Sequence, residues 1–237
     1  SGPEVPLIVP EVNSYALEGF RQRNIIANPN CSTIQMVAAL KPLNDIARIR
    51  RVVVATYQSV SGAGQKGMNE LYNQTKSVYQ LEEQDPKTFP VPIAFNIIPH
   101  IGDFLPNGFT QEEQKMIDET KKILSPEIEV VATCARVPVF VSHSESITVE
   151  FDEPIDVDQA LEAWHDSDGI ILLDRQEDAG YATPKDAAGD NGVFVSRVRQ
   201  DPSVPYGLTF WCVSDNLRKG AAWNAVQIAQ ALAEDYL

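Results

Sequence analysis

The feature that most constrains this chain is a succession of short apolar, β-branched runs in its second half. They lie at Glu129 to Thr133, Val137 to Val141, Ile147 to Phe151, Ile170 to Leu173, Val193 to Val198 and Leu208 to Val213. Each has strand length, and polar or turn-forming residues separate them. A helical pattern, Val157 to Trp164, interrupts the series, and an earlier run, Arg51 to Tyr57, carries valines suited to a pleated, packed surface. Further helical patterns cover Cys31 to Arg48, Gly67 to Glu82, a segment opening at Thr110, and Lys219 to Leu237. Strands in succession with a helix at either end predict an α+β fold, a mixed and largely antiparallel sheet with helices packed on it.

Local signals refine this outline. The block from Cys31 is opened by the turn-former Asn28-Pro29-Asn30 and places Ile34, Val37, Ala38 and Ile46 at helical spacing, while Pro42 predicts a kink or a break. Thr110 is followed by Glu112 and Glu113 in the first turn, with Lys121 and Lys122 late, which complements a helix dipole. The Pro-rich stretch Phe89 to Pro106 reads as irregular or edge structure, and Asp174 to Asn191 as a long surface loop. In the last block Ala222, Ala225, Val226, Ala229, Leu232 and Ala233 form an apolar stripe.

Composition narrows the partners. A formal charge of −14 argues against nucleic acid or an anionic membrane surface as the partner of the whole molecule. No apolar run approaches the ~18 residues of a spanning helix, so no membrane partner is expected. Cys31, Cys134 and Cys212 are widely spaced and contain no CxxC pair, which fits reduced thiols in a cytoplasmic setting and no metal site.

Cys31 stands at the mouth of a predicted helix, where unpaired N–H groups and the dipole stabilise a thiolate and can hold an oxyanion. A buried, inert cysteine is the competing reading, and it holds for Cys134 and Cys212 inside strand patterns. Of the histidines, His165 reads as a surface residue and His100 as a loop residue. His143 follows the run Val137 to Val141, with Arg136 at that run's other end. Such a pair can fix a carboxylate and move a proton, or be a surface arginine and a polar-turn histidine. Ser61-Gly62-Ala63-Gly64 is a turn that lets backbone approach a ligand closely, and the chain is expected to hold no G-x-G-x-x-G dinucleotide fingerprint.

Six strings carry a resemblance. They are VPLIVPEVN at 5–13, NPNCST at 28–33, TYQSVSGAG at 56–64, EEQK at 112–115, RVPVFVSHSES at 136–146 and DNLRKGAAWNAVQIA at 215–229. In this order and spacing the chain resembles aspartate-β-semialdehyde dehydrogenase from its catalytic cysteine onward. The resemblance implies a fold like the C-terminal domain of glyceraldehyde-3-phosphate dehydrogenase. It implies reductive dephosphorylation of aspartyl phosphate to aspartate semialdehyde with NADPH, in the biosynthesis of lysine, threonine and methionine, by a cytoplasmic homodimer. Cys31 would be the nucleophile, His143 the general acid/base, and Gln58 an orienting group. Arg136 would bind the substrate carboxylate and Glu112 its ammonium, with Asn30 and Lys115 in the phosphate site. Ser61, Gly62 and Gly64 would line the nicotinamide end of an NADP site, and Asn216 would touch the carboxamide.

The same family carries a Rossmann domain ahead of the cysteine. Here 30 residues precede Cys31, and they hold no G-x-G-x-x-G fingerprint. The chain is therefore read as the catalytic and dimerisation part of a longer enzyme, with weak NADP binding and little dehydrogenase activity by itself. Residues 1–217 form that part. Residues 218–237 form a helix that would pack on the cofactor domain, its alanine stripe otherwise exposed, disordered or used between molecules. The alternatives are an N-acetyl-glutamyl-phosphate reductase, against which Glu112 argues, a cysteine hydrolase using Cys31 and His143, and an idle dimerisation domain.

Overall fold

The computed structural model describes Gly2 and residues 4–236. In chain order the elements are α1 (Pro10–Asn13), a 3-10 helix (Ser14–Gln22), α2 (Cys31–Ile46), β1 (Ile49–Gln58), a 3-10 turn (Val60–Ala63) and α3 (Gly64–Gln80). Then come α4 (Gln111–Ile123), β2 (Glu129–Arg136), β3 (His143–Phe151), α5 (Val157–His165), β4 (Ile170–Leu172) and α6 (Pro184–Ala187). The chain ends with β5 (Val193–Gln200), β6 (Gly207–Ser214), a π-helical turn (Arg218–Ala222) and α7 (Trp223–Asp235).

The strands form one mixed sheet in the order β2-β1-β3-β6-β5-β4. β1 runs parallel to β2 and β4 parallel to β5, while the pairs β1/β3, β3/β6 and β5/β6 are antiparallel. Alternation decides which face is buried. In β1, Val52, Val54, Thr56 and Gln58 point inward while Arg51 and Tyr57 point out. α2 packs across the inner face, and its Met36, Leu40 and Leu43 join Ile147, Val149, Phe210 and Trp164 in the main core. The buried Trp164 indole donates to Ala39 O at 2.7 Å and sits edge-on to Phe210, so burial strands no donor.

α4 is set by a capping box. Thr110 accepts from Glu113 N, and Glu113 Oε2 accepts from Thr110 N at 2.8 Å. The other Glu113 oxygen accepts from Cys134 N at 3.0 Å, which fastens the helix to β2.

The structure corrects several expectations. Val137 to Val141 is not a strand. Pro138 has no N–H to give a ladder, and the carbonyls of Val139 and Phe140 instead accept from Val60 N and Ser61 N at 2.8 and 3.1 Å. Arg136 therefore ends β2 and His143 begins β3. Pro42 neither breaks α2 nor divides it, for the helix is a single element from Cys31 to Ile46. Asp174 to Asn191 is not only loop, since α6 packs Ala187 with Ala182, Phe194 and Val213. The last helix is well formed and docks on its own chain through Asn224 and Ile228, the latter packing with Ile8 and Leu17. The stripe of Ala222, Ala225, Val226, Ala229 and Ala233 faces solvent, with Leu232 half-buried.

Candidate active site

Strand register builds the site. Gln58 lies opposite Arg136, Tyr57 opposite Ser144, and His143 opposite Ser214. Arg136, Gln58, His143 and Ser214 thus form one inward-facing row where β1, β2 and β6 end and β3 begins. All four are buried. Both of the residues expected to bind a carboxylate and move a proton lie in this row, on different strands rather than at two ends of one.

Cys31 meets that row from above as the first residue of α2. The Asn30 side-chain oxygen accepts from Ser32 N and Thr33 N at 3.0 and 3.2 Å, which fixes the helix start. α4 holds the same turn: Glu112 Oε1 accepts from Asn30 Nδ2 and from Gln58 Nε2, both at 2.9 Å, and Glu119 accepts from Asn30 N at 2.8 Å. Lys115 is exposed one turn beyond Glu112, and its charge bears on Glu119. On the other side a β-carbon on Gly220 would lie 2.9 Å from Cys31 Cβ, so the π-helical turn can close on the cysteine only with glycine there.

The electrostatics oppose a resting thiolate. Burial and then Glu112 push the Cys31 thiol up to about 12, against the pull of the Ser32 amide and Arg136. The helix start alone therefore does not activate this cysteine. Burial and then Arg136 push His143 down to about 3, so its imidazole is neutral at physiological pH. Its tautomer follows from its neighbour. Ser59 N can only donate, and it lies 3.0 Å from His143 Nδ1, so the proton is assigned to Nε2. Nε2 is buried without a hydrogen-bond partner among the described residues, and a β-carbon on Gly62 would stand 3.3 Å from it and 2.8 Å from Arg136 Nη1. Gly62 thus keeps open the space in front of both groups.

Arg136 donates to Ser59 O at 2.8 Å and makes no ion pair among the described residues. Burial lowers its pKa and Glu112 opposes that. A buried guanidinium without a carboxylate needs one from elsewhere. Asn216 is a hub: its Oδ1 accepts from Ser59 Oγ, Ser61 Oγ and Ser142 N at 3.1, 3.1 and 2.9 Å. Ser142 has φ 77°, a left-handed conformation held just before His143.

Sequence reasoning passed over several members of this site. Glu119 lies two helical turns after Glu112, a spacing that would have placed it on the same face. Ser59 and Ser142 carried no signal of their own. Contrary to the expectation that no such fingerprint is present, Gly62, Gly64 and Gly67 spell G-x-G-x-x-G from the turn after β1 into the first turn of α3. Here Gly64 has φ 74°, and a β-carbon on Gly67 would strike Val60 O at 2.6 Å. Among the described residues no cluster of His, Cys, Asp or Glu could hold a metal, and no helix is long and apolar enough to cross a membrane.

The family described as semialdehyde dehydrogenase, dimerisation domain, matches residues 40–219. The aspartate-semialdehyde dehydrogenase of Rickettsia conorii is 50% identical over 234 residues, covering 99% of this chain and 69% of that protein. A crystal structure of aspartate semialdehyde dehydrogenase II from Vibrio cholerae, complexed with ASA, superposes with a TM-score of 0.97 at 50% identity, over 100% of this chain and 70% of that one. The Candida albicans enzyme, solved with NADP, superposes at 0.73 with 27% identity, over 97% of this chain and 67% of that one. The family match over residues 40–219 and the 50% identity along 99% of the chain show that it belongs to the aspartate-semialdehyde dehydrogenase family.

Proposed function

We propose that this chain carries the cysteine chemistry by which L-aspartyl-4-phosphate is reductively dephosphorylated to aspartate-4-semialdehyde. The observation that carries the reading is the buried Arg136 guanidinium, which makes no ion pair among the described residues and acts on the Cys31 thiol together with Glu112. A guanidinium and a carboxylate around one thiol suit a zwitterionic amino acid whose side chain ends in an acyl group. Arg136 binds the α-carboxylate. Glu112 uses Oε1 for Asn30 and Gln58, and Oε2 is left for the ammonium.

Cys31 Sγ attacks the acyl carbon; the C–S bond forms, the C–O bond to phosphate breaks, and the thiol proton leaves with the phosphate. Asn30 and Lys115 receive that phosphate. Gln58 Nε2, anchored on Glu112, orients the acyl group. His143 keeps its proton on Nε2 and presents it to the acyl oxygen, where negative charge develops when the thioester is reduced. The neutral imidazole set by Ser59 is a donor there, and Asn216 fixes Ser59 and the residue before His143.

NADPH, when bound, supplies the hydride. Its nicotinamide end would enter the space that Gly62 leaves before Arg136 and His143, with Ser61 and Gly64 on the same turn and Asn216 holding Ser59 and Ser61. The complex of the Candida albicans relative with NADP supports this choice. Two copies would meet through the outer sheet face, where the Tyr57 and Trp211 rings lie tilted against each other at 5.4 Å and Tyr57 is exposed. The three free thiols suit the cytoplasm.

The test is acylation of the chain by L-aspartyl-4-phosphate, followed by peptide mass spectrometry and release of inorganic phosphate. An adduct on Cys31, lost in Cys31→Ser and slowed at least ~100-fold in Arg136→Gln, is expected. An unmodified Cys31 after phosphate release has run to completion would sink the reading.

A further inference from the structure

α3 carries two buried polar side chains one turn apart that grip the Pro-rich segment beyond it. The Glu70 carboxylate accepts from Lys87 N at 3.2 Å, from Thr88 N, and from Phe89 N at 3.5 Å. Gln74 donates to Glu70 at 3.1 Å, and its own oxygen accepts from Ile93 N and Ala94 N at 2.8 and 3.2 Å. Five backbone N–H groups of an otherwise irregular strap are thus held by one helix face. Four residues further on, Ile98 exchanges both backbone hydrogen bonds with Arg136, at 2.9 and 2.8 Å. Between these fastenings the strap carries the Phe89 ring to 6.0 Å from the Arg136 guanidinium carbon. Gly67 makes room for it, since a β-carbon there would lie 3.1 Å from the ring.

We infer that the strap of residues 87–98 is a positioning device for Arg136, in which Phe89 seats the guanidinium and Glu70 fixes Phe89. The inference rests on the reading of Arg136 as the receiver of a ligand carboxylate. Among the described residues Arg136 makes one side-chain hydrogen bond, from Nη1 to Ser59 O, which by itself does not fix the plane of the fork. An aromatic face beside a guanidinium limits its rotation, and the cation is attracted to the ring's negative face. The double backbone exchange at Ile98 fixes the Arg136 main chain at the end of β2, where a strand would otherwise fray. Phe89 touches no reacting atom in this account. It is a positioning residue for carboxylate recognition.

The experiment compares alkylation of Cys31 by iodoacetate and by iodoacetamide. Both reagents attack the same thiolate, so the ratio of their rates cancels the degree of ionisation and reports how the pocket treats a carboxylate. Cys134 and Cys212 are fully buried and do not compete. Arg136→Gln sets the baseline ratio. Phe89→Leu, which keeps apolar volume without the π face, should lower the wild-type ratio by about three- to tenfold towards that baseline. Glu70→Gln, which weakens the grip on the strap, should lower it in the same direction. In Phe89→Leu and Glu70→Gln the iodoacetamide rate should stay within about twofold of wild type. Phe89→Tyr should keep the wild-type ratio, because the face remains.

An unchanged ratio in Phe89→Leu, with a fall in Arg136→Gln, overturns the inference while leaving the reading of Arg136 intact. Rates that fall together for both reagents also overturn it, since the effect would then be a general loss of packing. A ratio unmoved even by Arg136→Gln overturns the reading of Arg136 and the inference with it.

Discussion

Two neighbouring rows on the same sheet face differ in what they can do. The end row is Arg136, Gln58, His143 and Ser214; one pleat below lie Cys134, Thr56, Glu145 and Cys212. Both rows are buried, and both mix polar and ionisable groups. Above the end row stand a helix N-terminus, the Val60–Ala63 turn and the space kept by Gly62. Above the lower row lies the body of α2, with the Cys212 thiol 3.9 Å from Gln35 O. The end row therefore has donors and a cation aimed at space a ligand can enter. The lower row has Glu145, whose buried carboxylate oxygens have no partner at hydrogen-bond distance among the described residues, Gln35 being the amide nearest to serving as one. Burial alone pushes that carboxyl well above its ordinary range, only partly offset by Gln35. Burial is the same in both rows; access and partners separate chemistry from filler.

The largest expected contrast is between thiols. Iodoacetamide on the native chain should modify Cys31 at least ~1000-fold faster than Cys134 or Cys212, because reaching those two requires opening the core. The Cys31 rate should climb about tenfold per pH unit from 7 to 9, as its thiol titrates near 12. Peptide mapping over a pH series checks both statements. A plateau below pH 8 would mean that the free site already holds a thiolate.

Gly62→Ala comes next. Its methyl group would sit 2.8 Å from Arg136 Nη1 and 3.3 Å from His143 Nε2, so one or both must move. Acylation of Cys31 by aspartyl phosphate should slow by about 10- to 100-fold, since misplacement of an ångström costs that much. Thermal unfolding should shift by only a few degrees. A normal acylation rate would show that the space before these groups is not used.

How much of this was legible follows from the kind of interaction involved. The sheet and its helices were readable because alternation and helical spacing are local. Thr110, its early acids and its late lysines announced a helix, and the structure opens that helix with a capping box. Asn30-Cys31 announced a helix start beside a thiol, and the cap is there too. Val137 to Val141 misled because its valines look strand-like, while Pro138 and the turn at Val60 and Ser61 settle its hydrogen bonding across space. The strap beyond α3 was seen only as Pro-rich, for its order comes from Glu70 and Gln74, at least 17 residues upstream of the amides they hold. The thiol's raised pKa could not be read from a helix start, since it depends on how deeply Glu112 and the sheet enclose it.

Glu145 offers a test of the lower row with a definite sign. Its folded-state pKa is raised, so the unfolded chain loses this proton first as pH increases. Stability is greatest below the unfolded value of about 4.3 and falls as pH rises toward the folded one, by about 1.4 kcal/mol per pH unit within that window. Glu145→Gln removes the term. The difference in unfolding free energy, variant minus wild type, should therefore grow between pH 5 and pH 7. A constant difference across that range would show Glu145 ionised in the folded protein.

The smallest effect belongs to the boundary above the end row. Asn30 does two jobs with one amide: its oxygen caps α2, and its nitrogen donates to Glu112. Asn30→Ser keeps a capping oxygen and drops the second bond, while Asn30→Ala drops both. The serine variant should cost a few tenths of a kcal/mol and the alanine variant about 1 kcal/mol in urea unfolding. In both, Glu112 keeps Gln58 as its donor but gains freedom, so the carboxylate becomes easier to withdraw from the thiol. Since Glu112 is the largest charge effect holding the Cys31 thiol protonated, alkylation at pH 8 should speed up modestly, and by a similar factor in the two variants. If only the alanine variant changed the cysteine, the cap itself would govern the thiol, and Asn30 would act on Cys31 through the helix start rather than through Glu112.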